Sequence, residues 1–208
     1  MSGWAVHEGL AVALDMADVD TDQLIPARFM SAPRSEGYGR HLLHDLRFDA
    51  DGAPLADFPL NRTPQASVLV ARRNFGGGSS REAAVYALAD FGIRAVVAPS
   101  FGDIFASNAI NNGLLPARAT EEAVDALIAC LARHPQGCAS ARVDLEAGTV
   151  TVGAATTRFA LDGVWRRKLM RGWDDIDLTR QSAEAIAAFR AERARRRAWA
   201  IPQGKVAR

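Results

Sequence analysis

The segment R-N-F-G-G-G-S-S-R-E at 73–82 concentrates residue types that can bind and stabilise an anion. Gly76, Gly77 and Gly78 permit positive φ and let a ligand approach backbone N–H groups closely. Ser79 and Ser80 add hydroxyls, and Arg81 adds a planar cation able to grip a carboxylate through two hydrogen bonds. A serine hydroxyl acts as a base only where its alkoxide is stabilised, as by helix-terminal amides and a neighbouring arginine in a dry site. Ser79 and Glu82 have capping-box spacing, which predicts a helix opening at Ser79. Its first turn would present free amides and partial positive charge to a carboxylate or phosphate.

The flanking elements must hold this loop in place. The apolar run Val68-Leu69-Val70-Ala71 predicts a buried strand before it. Ala84, Val85, Leu88, Ala89 and Phe91 predict one face of a helix after it. Arg94 to Ala98 predicts a second strand, so the unit is strand–loop–helix–strand, the pattern of a right-handed crossover. A further helix is predicted from Ser100-Phe101-Gly102-Asp103, burying Ile104, Phe105, Ala109 and Ile110 and stopping at Asn111-Asn112-Gly113. Thr120 with Glu121 and Glu122 predicts the next helix start, with Val124, Leu127, Ile128 and Leu131 as core.

Upstream, residues 8–14 predict an opening strand. On composition alone, D-V-D-T-D-Q-L-I-P-A-R-F-M at 18–30 is an acidic turn and a short apolar segment ended by Pro26. Residues 31–66 are poor in regular pattern; within them, His41 and His44 are spaced to face one way on a helix, and Arg34, Arg40 and Arg47 are candidate carboxylate contacts. Downstream, 141–160 predicts small β-structure, Leu161 to Trp173 a short helix ending at Gly172, and Gln181 to Arg197 a helix ending in A-E-R-A-R-R-R.

Composition narrows the function classes. The chain has 208 residues, 49% apolar and 24% charged, as expected of a globular domain. A net charge of +1 gives no global field for nucleic acid or an acidic membrane, so the arginine-rich tail reads as a solvated helix end. No apolar run reaches membrane length and the N-terminus lacks a secretory pattern, so a cytoplasmic location is expected. The two cysteines, Cys130 and Cys138, make neither a disulfide framework nor a ligand set for zinc or iron–sulfur. Cys130 reads as helix packing and Cys138 as a loop residue. G-G-G-S-S also lacks the lysine and spacing of a P-loop.

An ordered series of motifs runs through the centre of the chain: N-F-G-x-G-S-S-R-E at 74–82, A-L-A-D-F-G-I-R at 87–94, A-P-S-F-x-D-I-F at 98–105 and N-x-G-L-L-P at 111–116. It resembles the active-site segment of the small, swivelling domain of the aconitase superfamily, most of all the small subunits of bacterial 3-isopropylmalate dehydratases. D-T-D-Q-L-I-P at 20–26 resembles that domain's second signature, while G-Y-G-R-H-L at 37–42 and D-L-R-F at 45–48 resemble its mobile, substrate-selecting loop. Asp174 to Thr179 resembles the closing D-x-I-x-L-T segment.

The resemblance implies an α/β fold: a single swivelling β/β/α domain over 1–208, with an irregular substrate loop at about 31–66 and a helical tail at about 181–208. It implies Ser79 as base, Asp22 facing the reacting centre, and Ser80, Arg81, Thr21 and Gly78 around the substrate carboxylates. The implied reaction is hydro-lyase isomerisation of 2- and 3-isopropylmalate in leucine biosynthesis, on a small dicarboxylate. The implied cofactor is a 4Fe–4S cluster carried by a separate large subunit, so the chain would act only in a heterodimer and bind no metal itself. Gly77 and Ala83 stand where the family usually has Cys and His. The departures keep related substrates open (2-methylmalate/citraconate, dimethylmalate, homoaconitate or citrate), as well as a non-catalytic dicarboxylate-binding role.

Overall fold

Strand β1 (Val6–Leu14) joins two kinds of sheet, running parallel to β2 (Ala66–Ala71) and antiparallel to β5 (Cys138–Asp144). With β3 (Ala95–Ala98), β4 (Leu115–Arg118), β6 (Thr149–Val152) and β7 (Ala155–Arg158) they form one seven-stranded sheet, ordered β4-β3-β2-β1-β5-β6-β7. The β4–β1 half is parallel and β5–β7 antiparallel. The computed structural model describes residues 3–200, which fall into two compact units, 3–173 and 174–200.

The parallel half is apolar on both faces because helices cover both. Alternation splits each strand: Leu69 and Ala71 join one core cluster, Val68 and Val70 the other. The first cluster takes Ala84, Val85, Ala87 and Leu88 of the helix at Glu82–Phe91, and the second takes Val124, Leu127, Ile128 and Leu131 of the helix at Glu121–Ala132. The helices in chain order are α1 (Thr21–Leu24), α2 (His44–Arg47), α3 (Pro59–Arg62), α4 (Glu82–Phe91), α5 (Asp103–Asn111), α6 (Glu121–Ala132) and α7 (Gly163–Arg171). Thr120 caps α6 as predicted, its hydroxyl accepting from the Ala123 amide. The crossovers through α4 and α5 return to the same edge, so the loops after β1, β2 and β3 gather there.

Several expectations need correction. β4 is a strand for which the sequence analysis makes no prediction; it contains Pro116, and at the end of the sheet order a missing donor is tolerated. Cys138 begins β5 and pairs with Val12 instead of lying in a loop. Ile104 is 53% exposed, whereas Phe105, Ala109 and Ile110 are buried as expected. Segment 31–66 is built from short turns at 34–36 and 39–41 with α2 and α3, and it is pinned by Leu42, Leu43 and Leu60, all fully buried.

The second unit holds α8 (Asp175–Arg180), α9 (Ala183–Arg196) and a 3-10 turn at Ala198–Ala200. None of these elements has a buried residue, and Ile176, Phe189 and Trp199 are exposed.

Candidate active site

Ligands of open α/β sheets gather outside the carboxyl ends of parallel strands, and here three loops meet there. The loop after β2 bonds to the loop after β1: Gly76 N–H donates to Val19 O at 2.7 Å, and Thr21 N–H to Gly77 O at 3.0 Å. It also bonds to the loop after β3: Phe75 N–H donates to Ser100 O at 3.1 Å, and Gly102 N–H to Phe75 O at 3.0 Å. Residues 75–77 are therefore held by isolated bridges on both sides, Gly77 to Asp20 and Phe75 to Phe101. Gly76 is in the left-handed region (φ +73), and a Cβ there would enter the Phe105 ring. Only glycine meets both demands.

These contacts bring the two signature segments together. Thr21 is buried, and its Oγ1 donates to the Ser79 carbonyl at 2.9 Å. Arg81, 19% exposed, ion-pairs through Nη1 with Asp22, which is 54% exposed. That contact is not aligned as a hydrogen bond, and the buried Nη1 has no hydrogen-bond acceptor among the described residues. The guanidinium thus retains donor capacity for an incoming carboxylate. Gly78, Ser79 and Ser80 are exposed, and among the described residues their amides donate to no protein acceptor. Gly78 is also left-handed (φ +90). Thr21, Asp22, Gly78, Ser79, Ser80 and Arg81 therefore share one open loop cluster, with free donors beside a paired cation.

The capping prediction at Ser79 fails. Helix α4 begins at Glu82; its N-cap is Arg81 (φ −115, ψ 102), with no side-chain cap bond. The Ser79 carbonyl accepts from both Thr21 Oγ1 and the Arg81 amide, which holds residues 79–81 out of the helix. A real capping box lies instead on α1: Asp20 accepts from the Gln23 amide at 2.7 Å, and the Gln23 side chain accepts from the Asp20 amide at 3.0 Å. The acidic turn at 18–22 concealed it, although D-x-x-Q carries the signal.

The other candidates separate. Arg47 is buried, donating to Leu42 O at 3.1 Å and to Asn61 Oδ1 at 2.9 Å, so it braces its segment and faces no ligand. Arg34 lies over the Tyr86 ring, 3.4 Å from its centroid, and ion-pairs with Asp90 at 3.6 Å. Arg40 pairs with Glu36 at 2.8 Å. His41 and His44 do not share a helix face; His41 ends a 3-10 turn, His44 opens α2, and both pack on Phe29. Burial and the charge of Arg40 lower the His41 pKa. Cys130 is buried with its thiol directed to Val152 O at 3.4 Å, and Cys138 lies beside Pro135 O. Among the described residues no three His, Cys, Asp or Glu side chains group as a metal site. These cysteines do not fit an iron–sulfur cluster, which needs converging thiolates.

Sequence reading also missed Asp18 and Asn74. Both adopt left-handed backbone (φ +57 and +56), and Asn74 Nδ2 donates to Asp18 Oδ1 at 3.0 Å. The available signal was their type, since Asn and Asp accept this conformation more readily than other non-glycine residues.

A crystal structure of 3-isopropylmalate dehydratase from Methanocaldococcus jannaschii matches with a TM-score of 0.63 at 29% identity, covering 88% of this chain and 99% of that one. The family model described as the aconitase C-terminal domain matches residues 1–122, which include every strand and loop of the candidate site. With both signature loops joined on one edge of a matching fold, the chain belongs to the aconitase C-terminal domain family.

Proposed function

We propose that this chain is the small subunit of 3-isopropylmalate dehydratase, interconverting 2- and 3-isopropylmalate together with a large subunit. One observation carries the reading: the Asp22–Arg81 pair, with Thr21 holding the Ser79 carbonyl, assembles a carboxylate seat beside a serine. The likeness to a solved 3-isopropylmalate dehydratase over nearly its whole length supports the choice of substrate.

The chemistry follows from what each group can do. Arg81 takes one substrate carboxylate with its planar fork, helped by Ser80 and the amides of residues 78–80. Ser79 Oγ, as alkoxide, removes the proton α to a carboxylate while the C–O bond breaks and hydroxide departs, leaving the alkene. Hydroxide then adds at the other carbon and Ser79 returns the proton, which re-adds water in the opposite regiochemistry. The Arg81 charge and the free amides stabilise the alkoxide. Asp22 sets the Arg81 fork before substrate arrives.

Hydroxide is a poor leaving group, and a 4Fe–4S cluster would act as its Lewis acid. In this reading the cluster belongs to the large subunit, as the family resemblance implies, and the two cysteines of this chain do not converge as ligands. The exposure of Gly78, Ser79 and Ser80 fits the same assignment, since an alkoxide base needs a site closed to water and the second chain would close it. Among the described residues no helix is long and apolar enough to cross a membrane, and the reading carries a cytoplasmic location with it.

The test is co-expression with a large-subunit partner, anaerobic cluster reconstitution and an ultraviolet assay of alkene formation. The panel is 3-isopropylmalate, 2-methylmalate and citrate. Turnover of isopropylmalate that vanishes in Ser79→Ala is expected. Turnover of 2-methylmalate instead would reassign the substrate and keep the mechanism. No turnover by an intact heterodimer bearing its cluster would leave a dicarboxylate-binding homologue.

A further inference from the structure

Three loops carry the site, and one residue, through its backbone and its side chain, joins parts of all three. Asn74 follows β2; its backbone amide donates to Ser100 Oγ in the loop after β3 at 2.8 Å. Its side-chain amide donates to Asp18 Oδ1 in the loop after β1 at 3.0 Å. The same amide group lies against the Gly77 Cα: a Cβ built on Gly77 would stand 3.0 Å from Asn74 Oδ1 and 3.2 Å from Nδ2. Asp18 in turn takes the Arg73 carbonyl on its amide at 2.9 Å and lies 3.6 Å from the Arg73 guanidinium.

The backbone at both ends of this link is unusual. Only four non-glycine residues with positive φ occur among the described residues, and Asp18 and Asn74 are two of them. Strained backbone of this kind persists where surrounding structure over-determines it, commonly near functional sites. Both side chains are exposed, so their bond adds little to global stability. A bond that is weak for stability yet held by two left-handed residues is better explained by where it sets the loops.

We propose that Asn74 is a positioning residue, tying the loops after β1, β2 and β3 and fixing the register of Thr21-Asp22 against Ser79-Arg81. It touches no reacting atom. It acts through the backbone of 75–79, whose position sets the Ser79 hydroxyl relative to the Arg81 fork. Small misplacements of that kind cost rate steeply; about 1 Å can cost about 100-fold. The inference rests on the proposed hydro-lyase reading for its kinetic readout only.

The experiment uses Asn74→Gly and Asp18→Gly, since glycine keeps left-handed backbone while deleting the side-chain link. In the reconstituted heterodimer with isopropylmalate, each should lower kcat between about 10-fold and 100-fold. Melting temperature and subunit assembly should hold. The double variant should be little worse than the poorer single one, as expected of partners in one link, and Asp18→Asn, which retains an acceptor, should restore kcat to within about threefold. In the full-length subunit alone, hydrogen exchange at the amides of Thr21, Phe75 and Gly76 should quicken in Asn74→Gly. Wild-type kcat in both glycine variants, or multiplicative losses in the double, overturns the proposal. Should the wild type turn over no dicarboxylate, the functional reading fails separately and exchange decides: unchanged protection at Thr21, Phe75 and Gly76 then sinks the tie.

Discussion

Arginine is prominent in two regions of this chain, the tail helix α9 and the loop before α4, and the two differ in what holds the side chain. In α9 the arginines follow helical spacing, and Arg196 pairs with Glu192 one turn away at 2.8 Å. Both groups stay well exposed, with 72% and 47% of their side chains accessible. Such pairs contribute about 0.3–0.5 kcal/mol and orient nothing. Arg81 has an acidic partner from another loop, and it lies between the Ser79 carbonyl held by Thr21 and the start of α4. A guanidinium becomes a recognition group when the main chain beneath it cannot move. Charge density alone, higher in the tail, does not do this.

The contrast can be broken from its strong end downward. Ser79→Ala should reduce kcat by about 10³–10⁴, the loss expected for a general base, with assembly and cluster content unchanged in the same preparation. Arg81→Lys should lower kcat/KM by about 10–100-fold despite the conserved charge, because lysine has no planar fork; near-normal kcat/KM would falsify the clamp. Gly76→Ala should destabilise by roughly 3 kcal/mol in urea melts, since it combines left-handed strain with entry into the Phe105 ring. Phe189→Ser on α9 should change stability by less than about 0.5 kcal/mol. A large effect there would mean that the tail is packed against something after all.

The smallest expected effect is a pH dependence rooted in β1. His7 bonds to Ser67 Oγ at 2.8 Å, and burial, followed by the Arg94 charge, lowers its pKa. The unfolded chain therefore binds more protons below pH about 6.5 than the folded one. Stability should fall as pH drops through that value and level off below the depressed folded pKa. Replacing His7 with Gln should flatten this step, leaving the part due to His41. A step unchanged by His7→Gln would assign the dependence elsewhere.

Local pattern carried much of the architecture into view. Val68–Ala71, Arg94–Ala98 and the Thr120 start announced two strands and a helix because burial on one or both faces leaves a periodic trace. The site was legible only as residue types. Nothing local shows that the Ser79 carbonyl is claimed by Thr21, which lies 58 residues away and moves the helix start to Glu82. Arg47 was misassigned for a related reason: its burial depends on Asn61 and Leu42, partners that no periodicity announces. Asn74 and Asp18 were passed over because polar residues in a loop carry no pattern until their torsions are known.

The spacing of these loop contacts has a consequence for how the subunit reaches its native state. Asp18 meets Asn74 across 56 residues and Thr21 meets Ser79 across 58. Parallel pairing of β1 with β2 must be in register before either contact exists. Such non-local contacts form late because chain entropy must be surrendered before they can stabilise anything. A chain in which this pairing has not formed can therefore hold its helices and still lack the joined loop cluster, so on the proposed reading competence to bind substrate should be among the last properties gained on refolding.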